Sequence, residues 1–207
     1  MNPMSENPQQ DPWDQPPADA QAWLDAANFV DMCALAAAYL EGELDCFPGW
    51  MSESTDDETD EILPELLSLT QRGVLPLASQ LGEARALGHD DRAWSRRAFL
   101  SGFATPKADA ACSRRVRELG MVWCSFPAGE WGRSREIVGL RGGEAFLWAG
   151  RAAGAVELEI FEGAVSASAL AELHTMRYFS CFDPIWGRSR ALFDALSGGS
   201  ALRHTTS

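Results

Sequence analysis

Two identical pentapeptides hold the arginines of this chain that are best suited to bind an anion. Trp-Gly-Arg-Ser-Arg occurs at residues 131–135 and again at residues 186–190. A guanidinium forms paired hydrogen bonds with phosphate or carboxylate, and it also stacks on an indole ring. The repeat therefore supports one hypothesis: an enzyme or a binding domain for a small phosphate or carboxylate ligand. The candidate ligand-binding residues are Ser79, Gln80, Arg133, Arg135, Arg188 and Arg190.

The two copies of the pentapeptide are expected to differ in local structure. The first is predicted to be a turn that enters a strand, where Arg133 and Arg135 share a face. The second is predicted to form the first turns of a helix, with Asp183 as its cap, so that Arg188 and Arg190 point about 200° apart. This geometry favours different roles for the two copies over a pair of identical clamps.

An acidic run at residues 56–61 is the second candidate for chemistry. It lacks the alternation of Asp and Asn with a glycine that a calcium loop requires. Carboxylates are also favoured near the start of a helix, and a helix is predicted over residues 61–71. We therefore interpret the run as a helix start and a negatively charged surface, and we expect no metal site.

Nucleophilic catalysis would require a cysteine beside a base, for which Cys181 or Cys124 with His174 are the candidates. A cysteine within an aromatic run is more typical of a hydrophobic core. The sequence has no G-x-S-x-G elbow, no Walker lysine motif, no G-x-G-x-x-G and no H-E-x-x-H. We assign no catalytic residue and expect no cofactor.

The net charge of −13 is unevenly distributed along the 207 residues. Residues 1–66 contain 16 Asp and Glu and no Lys or Arg, whereas residues 67–207 contain 14 acidic and 17 basic residues. So negative a protein is disfavoured as a nonspecific binder of nucleic acid. The charge is consistent with docking on a basic protein, with imitation of DNA or with solubility alone.

The remaining composition predicts a cytoplasmic protein. No apolar run approaches the roughly 20 residues of a membrane span, and the N-terminus lacks a basic residue and an apolar signal core. The five cysteines are scattered and form no C-x-x-C pair, which indicates reduced thiols.

The elements predicted to position these residues alternate between helices and strands. Helices are predicted at 20–41, 61–71, 107–120 and 167–174, with Ser166 as the cap of the last of these, and again after Asp183. Strands are predicted at 74–80, 93–104, 121–126, 136–140, 144–148 and 156–161, with a loop at 81–91 and with Gly142-Gly143 in the turn of a hairpin between 136–140 and 144–148. Residues 178–182 are predicted to be a short buried strand or an extended arm.

This order predicts an α+β fold: a single domain with a mixed, mostly antiparallel sheet of five or six strands and about four helices. The predicted organisation is a disordered, acidic, proline-rich leader at 1–19, the domain at 20–197 and a loose tail at 198–207.

Residues 23–103 resemble an uncharacterised family of actinobacterial and phage proteins. The residues that carry the resemblance are Trp23, Tyr39-Leu40-Glu41-Gly42, Pro48-Gly49-Trp50, Asp57-Glu58-Thr59, the leucines to Leu69, Gly73, Ser79-Gln80 and Arg97-Ala98-Phe99-Leu100-Ser101-Gly102-Phe103. In that family Ser-Gln is usually followed by Pro-Gly, where this chain has Leu81-Gly82. The resemblance implies a mobile-element context, in which small acidic accessory proteins often act by binding another protein.

The sequence thus favours an acidic, non-enzymatic regulator that acts by protein–protein binding. One specific version is a phage accessory factor that controls a DNA recombinase, as a recombination directionality factor does, or that inhibits a host defence protein. We expect a protein partner with a basic surface, and no direct binding to nucleic acid or membrane; a homo-oligomeric structural protein is a further alternative. The predicted contact residues are Trp50, Asp56, Asp57, Glu58, Asp60 and Trp186.

Overall fold

The computed structural model describes residues 19–49, 55–88, 91–130, 136–150 and 155–197. Within these ranges the chain forms eight helices and eight strands. The helices are α1 (Ala20–Asp25), α2 (Phe29–Leu40), α3 (Asp57–Asp60), α4 (Leu63–Thr70), α5 (Pro106–Glu118), α6 (Ala155–Glu159), α7 (Ala167–Leu173) and α8 (Ala191–Ser197). The strands are β1 (Val74–Gln80), β2 (Glu83–Leu87), β3 (Ala93–Arg96), β4 (Phe99–Ala104), β5 (Val122–Pro127), β6 (Glu136–Arg141), β7 (Glu144–Ala149) and β8 (Arg177–Phe182).

The strands pair into two antiparallel sheets, with the orders β1-β4-β8-β5 and β2-β3-β6-β7. The predicted α+β class and the mostly antiparallel pairing are confirmed, but the strands form two sheets where the sequence predicted a single mixed one. The strands outnumber the prediction because the stretch at 81–91, predicted to be a loop, contains β2. The predicted strand at 93–104 also divides at Arg97 and Ala98, so that β3 lies in the second sheet and β4 in the first.

The first sheet is covered by helices on both faces. Successive side chains of its strands point to opposite faces, and they enter two separate cores. Leu75, Phe103 and Tyr178 belong to the core that contains the buried residues of α2 and α7. Leu100 and Phe179 belong to the opposite core, formed with α4, α5 and α8. The central strand β4 is buried along its whole length.

The second sheet packs on the first through one face. Val138 and Ala149 contact Phe99 and Phe182 in a small shared core. Some large apolar side chains of the second sheet, such as Phe146, remain exposed.

Side-chain caps decide where several helices begin. Asn28 accepts a hydrogen bond from the Asp31 N–H at 3.0 Å and starts α2, so the helix predicted over 20–41 is divided in two. The predicted Ser166 cap of α7 is confirmed by its bond from the Ala169 N–H.

The strand predicted at 156–161 is wrong, because this segment begins as helix α6 and continues into turns. Leu158 and Phe161 lie three positions apart and both enter the same core. That spacing matches a helical period, although the alternation of Val-Glu-Leu-Glu resembles a strand.

Among the helices of the described ranges, none combines the length and apolarity needed to cross a membrane.

Candidate functional site

The second pentapeptide lies in a segment, residues 183–190, that we call the clasp. Asp183 is fully buried and accepts hydrogen bonds from the Ile185 N–H at 2.9 Å and from Arg188. Arg188 binds both carboxylate oxygens, with 2.7 Å between Nη2 and Oδ1, and this hydrogen bonding raises the pKa of its guanidinium. The prediction that Asp183 caps a helix is therefore wrong: the carboxylate ties a loop together, and α8 begins only at Ala191.

The clasp also joins the two sheets. The Gly187 N–H donates to the Arg96 carbonyl at 3.2 Å, and the Ser189 carbonyl accepts from the Gly82 N–H at 3.3 Å. Gly187 has φ +75°, and a Cβ at this position would lie 2.5 Å from the Cβ of Ala84. The pentapeptide thus needs glycine both for its backbone conformation and for this close approach.

Trp186, a predicted partner anchor, contacts the protein itself. The Arg97 guanidinium lies over its ring, 4.5 Å from the centroid, and the indole is only partly exposed. This cation–π contact holds the clasp against Arg97, one of the two residues that connect β3 to β4.

Most of the described side chains proposed for an anion site are engaged internally. Arg190 Nη2 pairs with Glu65 Oε1 at 2.6 Å and also donates through Nη1 to the Glu61 carbonyl. Gln80 is buried, and its Nε2 donates to the carbonyls of Arg97 and Val138 at 2.8 and 3.2 Å. Arg133 and Arg135, in the first copy of the pentapeptide, lie outside the described residues.

Ser79 lies elsewhere, in a cavity of about 330 Å³ between the edge strand β1 and helices α2, α3 and α4. The apolar walls include Tyr39, Leu40, Phe47, Leu66 and Leu77. The polar side chains are those of Thr55, Asp56, Thr59 and Ser79. One residue from each predicted set, Asp56 and Ser79, therefore lines the same cavity.

We call the acidic residues Asp56, Asp57 and Asp60, at and beside this cavity, the rim. Asp56 accepts the Thr59 N–H at 2.8 Å and caps α3, a short helix within the acidic run that was not predicted; the helix predicted at 61–71 is observed as α4. All three residues are exposed, and within the described ranges none of them forms an ion pair.

Glu58 differs from the rim because its carboxylate is used inside the protein. One oxygen accepts the Leu81 N–H, and the other pairs with Arg96 Nη1 at 2.7 Å. Arg96 also pairs with Glu83 at 2.8 Å, so Glu58 links α3 to the second sheet. The structure thus places Glu58 in a supporting role, apart from the three exposed acids.

Trp50 lies outside the described residues, but Phe47 and Thr55, on either side of it in sequence, line the cavity.

A second cavity, of about 450 Å³, lies on the second sheet and was not predicted from the sequence. Trp94, Arg96 and Arg141 line it, and the Arg141 guanidinium lies 5.0 Å from the Trp94 ring centroid. These residues are far apart in sequence, and only the pairing of β3 with β6 brings Trp94 opposite Arg141. This cavity could have been anticipated only by predicting the register of β3 against β6.

Four of the five cysteines, Cys33, Cys46, Cys112 and Cys181, are buried in the core, whereas Cys124 is partly exposed. Burial raises the pKa of the Cys33 thiol to about 12, with a further contribution from Glu172, and burial also raises the pKa of Cys181. A protonated thiol is a poor nucleophile. In the described part of the chain, no group of three or more His, Cys, Asp and Glu side chains is placed to hold a metal ion.

The fold and the cavity together define a small α+β domain with an acidic rim beside an open, partly apolar cavity. The chain belongs to the family DUF6919, a domain of unknown function, whose model matches residues 18–204. The predicted membership of an uncharacterised family is confirmed, and it extends well beyond residues 23–103. A search of curated proteins gives no match to this sequence.

Proposed function

We propose that this chain is a regulator that acts by binding another protein through the rim, without catalysing a reaction itself. The observation that carries the proposal is the exposure of Asp57 and Asp60 beside an open cavity, with no ion-pair partner for either among the described residues. Clustered, solvated charges of one sign accelerate encounter with a partner of opposite charge. The expected partner therefore has a basic surface.

The charge around the rim strengthens this proposal. Residues 1–66 contribute 16 acidic side chains and no Lys or Arg, so nothing within that segment neutralises the rim. Association steered by such a field is fast at low ionic strength and slows as salt is added. The proposal thus predicts partner binding that depends on salt.

Binding of a small anion by the second pentapeptide is less compatible with the contacts. Arg188 would have to release the buried Asp183, and Arg190 would have to release Glu65. A carboxylate buried without its partner is costly. The geometry therefore favours the protein-binding role.

The biological setting is proposed on the sequence resemblance alone. We propose a phage or mobile-element accessory protein of actinobacteria that acts in the cytoplasm, on a DNA recombinase or on a host defence protein. The identity of a captured partner would decide between these two pathways.

A pull-down of the full chain from host cells, with and without nuclease, tests the proposal. The test variant is Asp57→Asn with Asp60→Asn, which leaves the Asp56 cap and the Glu58 ion pair intact. The matched control is Glu118→Gln with Glu162→Gln. It removes two exposed charges that lie outside the rim and whose side chains have no described partner.

We expect the wild type and the control variant to retain one stoichiometric protein after nuclease treatment. We expect the rim variant to associate roughly threefold to tenfold more slowly at low salt. Equal association of all three proteins would refute the role of the rim. Loss of the partner on nuclease treatment would instead indicate contact through nucleic acid.

A further inference from the structure

We infer that the cavity beside the rim accepts an arginine side chain from the protein partner. This inference rests on the proposed function, because it names the group of the partner that the site recognises. The cavity, of about 330 Å³, lies within the range of ligand pockets, roughly 300–1,000 Å³. An arginine offers an apolar stem and a planar cation, and the cavity provides surfaces for both parts.

The apolar part of the cavity suits the methylene stem. Tyr39 and Leu40 from α2, Phe47 from the following loop and Leu77 from β1 form its walls. A long side chain buries its methylene groups against such walls while its charged end stays near polar atoms. The described lining residues include no Lys, Arg or His that would repel a cation.

The polar part of the cavity suits a guanidinium, which has five N–H donors and no acceptor. The Asp56 oxygen that caps α3 is Oδ1, and its other oxygen has no partner in the described part of the chain. Within the same ranges no hydrogen bond engages the hydroxyl of Thr59 or of Ser79. One carboxylate oxygen and two hydroxyls thus provide acceptors for a single cation.

The edge strand itself argues against an extra β-strand as the occupant. Pro76 has no N–H to donate, and the pairing of β1 with β4 shifts register between Pro76 and Ala78. Prolines and bulges are the usual devices that prevent a further strand from pairing at a sheet edge. A side chain inserted into the cavity needs no such pairing.

Arginine fits this site better than lysine. Its forked donors reach a carboxylate and neighbouring hydroxyls at the same time, whereas the lysine ammonium is a compact and strongly hydrated charge. Arginine is also enriched at the energetic centres of protein interfaces, where lysine is depleted.

Nuclear magnetic resonance of the ¹⁵N-labelled full chain tests the inference directly. The probe is acetyl-arginine methylamide, and the matched probe is acetyl-citrulline methylamide, which has nearly the same shape and no charge. We expect the arginine probe to shift the amides of Thr59, Leu77 and Ser79, and to bind about tenfold more tightly than the citrulline probe. Equal binding of the two probes, or no shift of these amides, would overturn the inference.

Two variants of the cavity sharpen the test. Asp56→Asn keeps a side chain able to cap α3 but removes the charge, so the preference for arginine over citrulline should disappear. Leu77→Trp should fill the cavity and abolish the shifts. Its control is Leu87→Trp, at an exposed position of β2 that is 78% accessible, where the shifts should persist.

The outcome is separable from that of the proposed function. If Leu77→Trp still captures the cellular partner and the Asp57/Asp60 variant does not, the arginine inference fails and the proposed function stands. If arginine binds the cavity but the wild-type chain captures no protein, the proposed function fails and the recognition of arginine stands.

Discussion

The clasp and the rim are both rich in charge, yet their charged groups have opposite surroundings. In the clasp the buried Asp183 is held by Arg188, and Arg190 is held by Glu65. In the rim Asp57 and Asp60 face solvent, and the described residues provide no cation for either. The same residue types thus stabilise the fold in one region and remain available for a partner in the other.

This difference shows that the environment of a charge carries more functional information than its abundance. The pentapeptide repeat is the more conspicuous sequence feature, but its described copy is committed to internal contacts. The rim belongs to an acidic run that resembles an ordinary helix start, and only its exposure beside a cavity distinguishes it. Breaking contacts in the clasp should therefore cost stability, and altering the rim should cost association.

The largest expected effect is that of Arg188→Met. This substitution leaves the Asp183 carboxylate, which is 0% exposed, without its cation, so we expect a loss of about 3–5 kcal/mol in the free energy of unfolding. Urea denaturation followed by circular dichroism measures this loss. Asp183→Asn should cost less, about 1–2 kcal/mol, because the Arg188 side chain is 39% exposed and can reach water. A loss below 1 kcal/mol for Arg188→Met would contradict a structural role for the clasp.

The second-largest expected effect tests the close contact between Gly187 in the clasp and Ala84 in the second sheet. Gly187→Ala should destabilise the protein by about 2–4 kcal/mol, since the new methyl group meets Ala84 and φ is positive. Gly163 has nearly the same φ, +74°, but a Cβ there meets nothing within 4 Å. Gly163→Ala should therefore cost only about 1 kcal/mol in the same denaturation assay. Equal losses would show that steric contact contributes nothing at the clasp.

Measurements at alkaline pH distinguish the contribution of the buried thiols to stability from that of the clasp. Burial raises the pKa of Cys33 from 9.0 to about 12, so its contribution to stability is complete below pH 9 and is lost as pH rises toward 12. Between pH 9 and 10.5 the free energy of unfolding of the wild type should fall as pH rises. We expect Cys33→Ala to make this fall less steep, by up to about 1.4 kcal/mol per pH unit. Arg188→Met should leave that slope unchanged, because guanidiniums stay charged in this range. A change of slope in Arg188→Met would refute this separation.

The smallest stability effect is expected at the rim. Asp57→Asn with Asp60→Asn should change the free energy of unfolding by less than about 0.5 kcal/mol, because both side chains are exposed and neither forms a described ion pair. The same denaturation curves measure it. A loss comparable to that of the clasp variants would mean that the rim supports the fold.

The sequence alone predicted the elements whose signals are local. The strand at 74–80, the hairpin around Gly142-Gly143 and the Ser166 cap are all present, because a run of apolar residues, a glycine turn or a capping hydroxyl acts within a few residues. The α+β class followed from their order. These parts depend little on the rest of the chain.

The remaining features depend on contacts distant in sequence, which local patterns do not encode. Asp183 precedes a proline and therefore resembles a helix cap, yet burial with Arg188 determines its role. The acidic run predicted a charged surface, but the use of Glu58 by Arg96 and the Leu81 N–H required the tertiary structure. The meeting of Asp56 with Ser79 in one cavity likewise arises only when β1 packs beside α3.

Site-specific photo-crosslinking in host cells tests most directly whether the rim contacts a protein. A photoreactive phenylalanine in place of Glu61, which is exposed next to Asp60, leaves all three rim carboxylates in place. The control carries the same group in place of Glu162, which is exposed elsewhere on the chain. If the rim contacts a protein, position 61 gives a covalent adduct with one protein and position 162 gives none. Adducts from position 162 alone, or of equal yield from both positions, would contradict it.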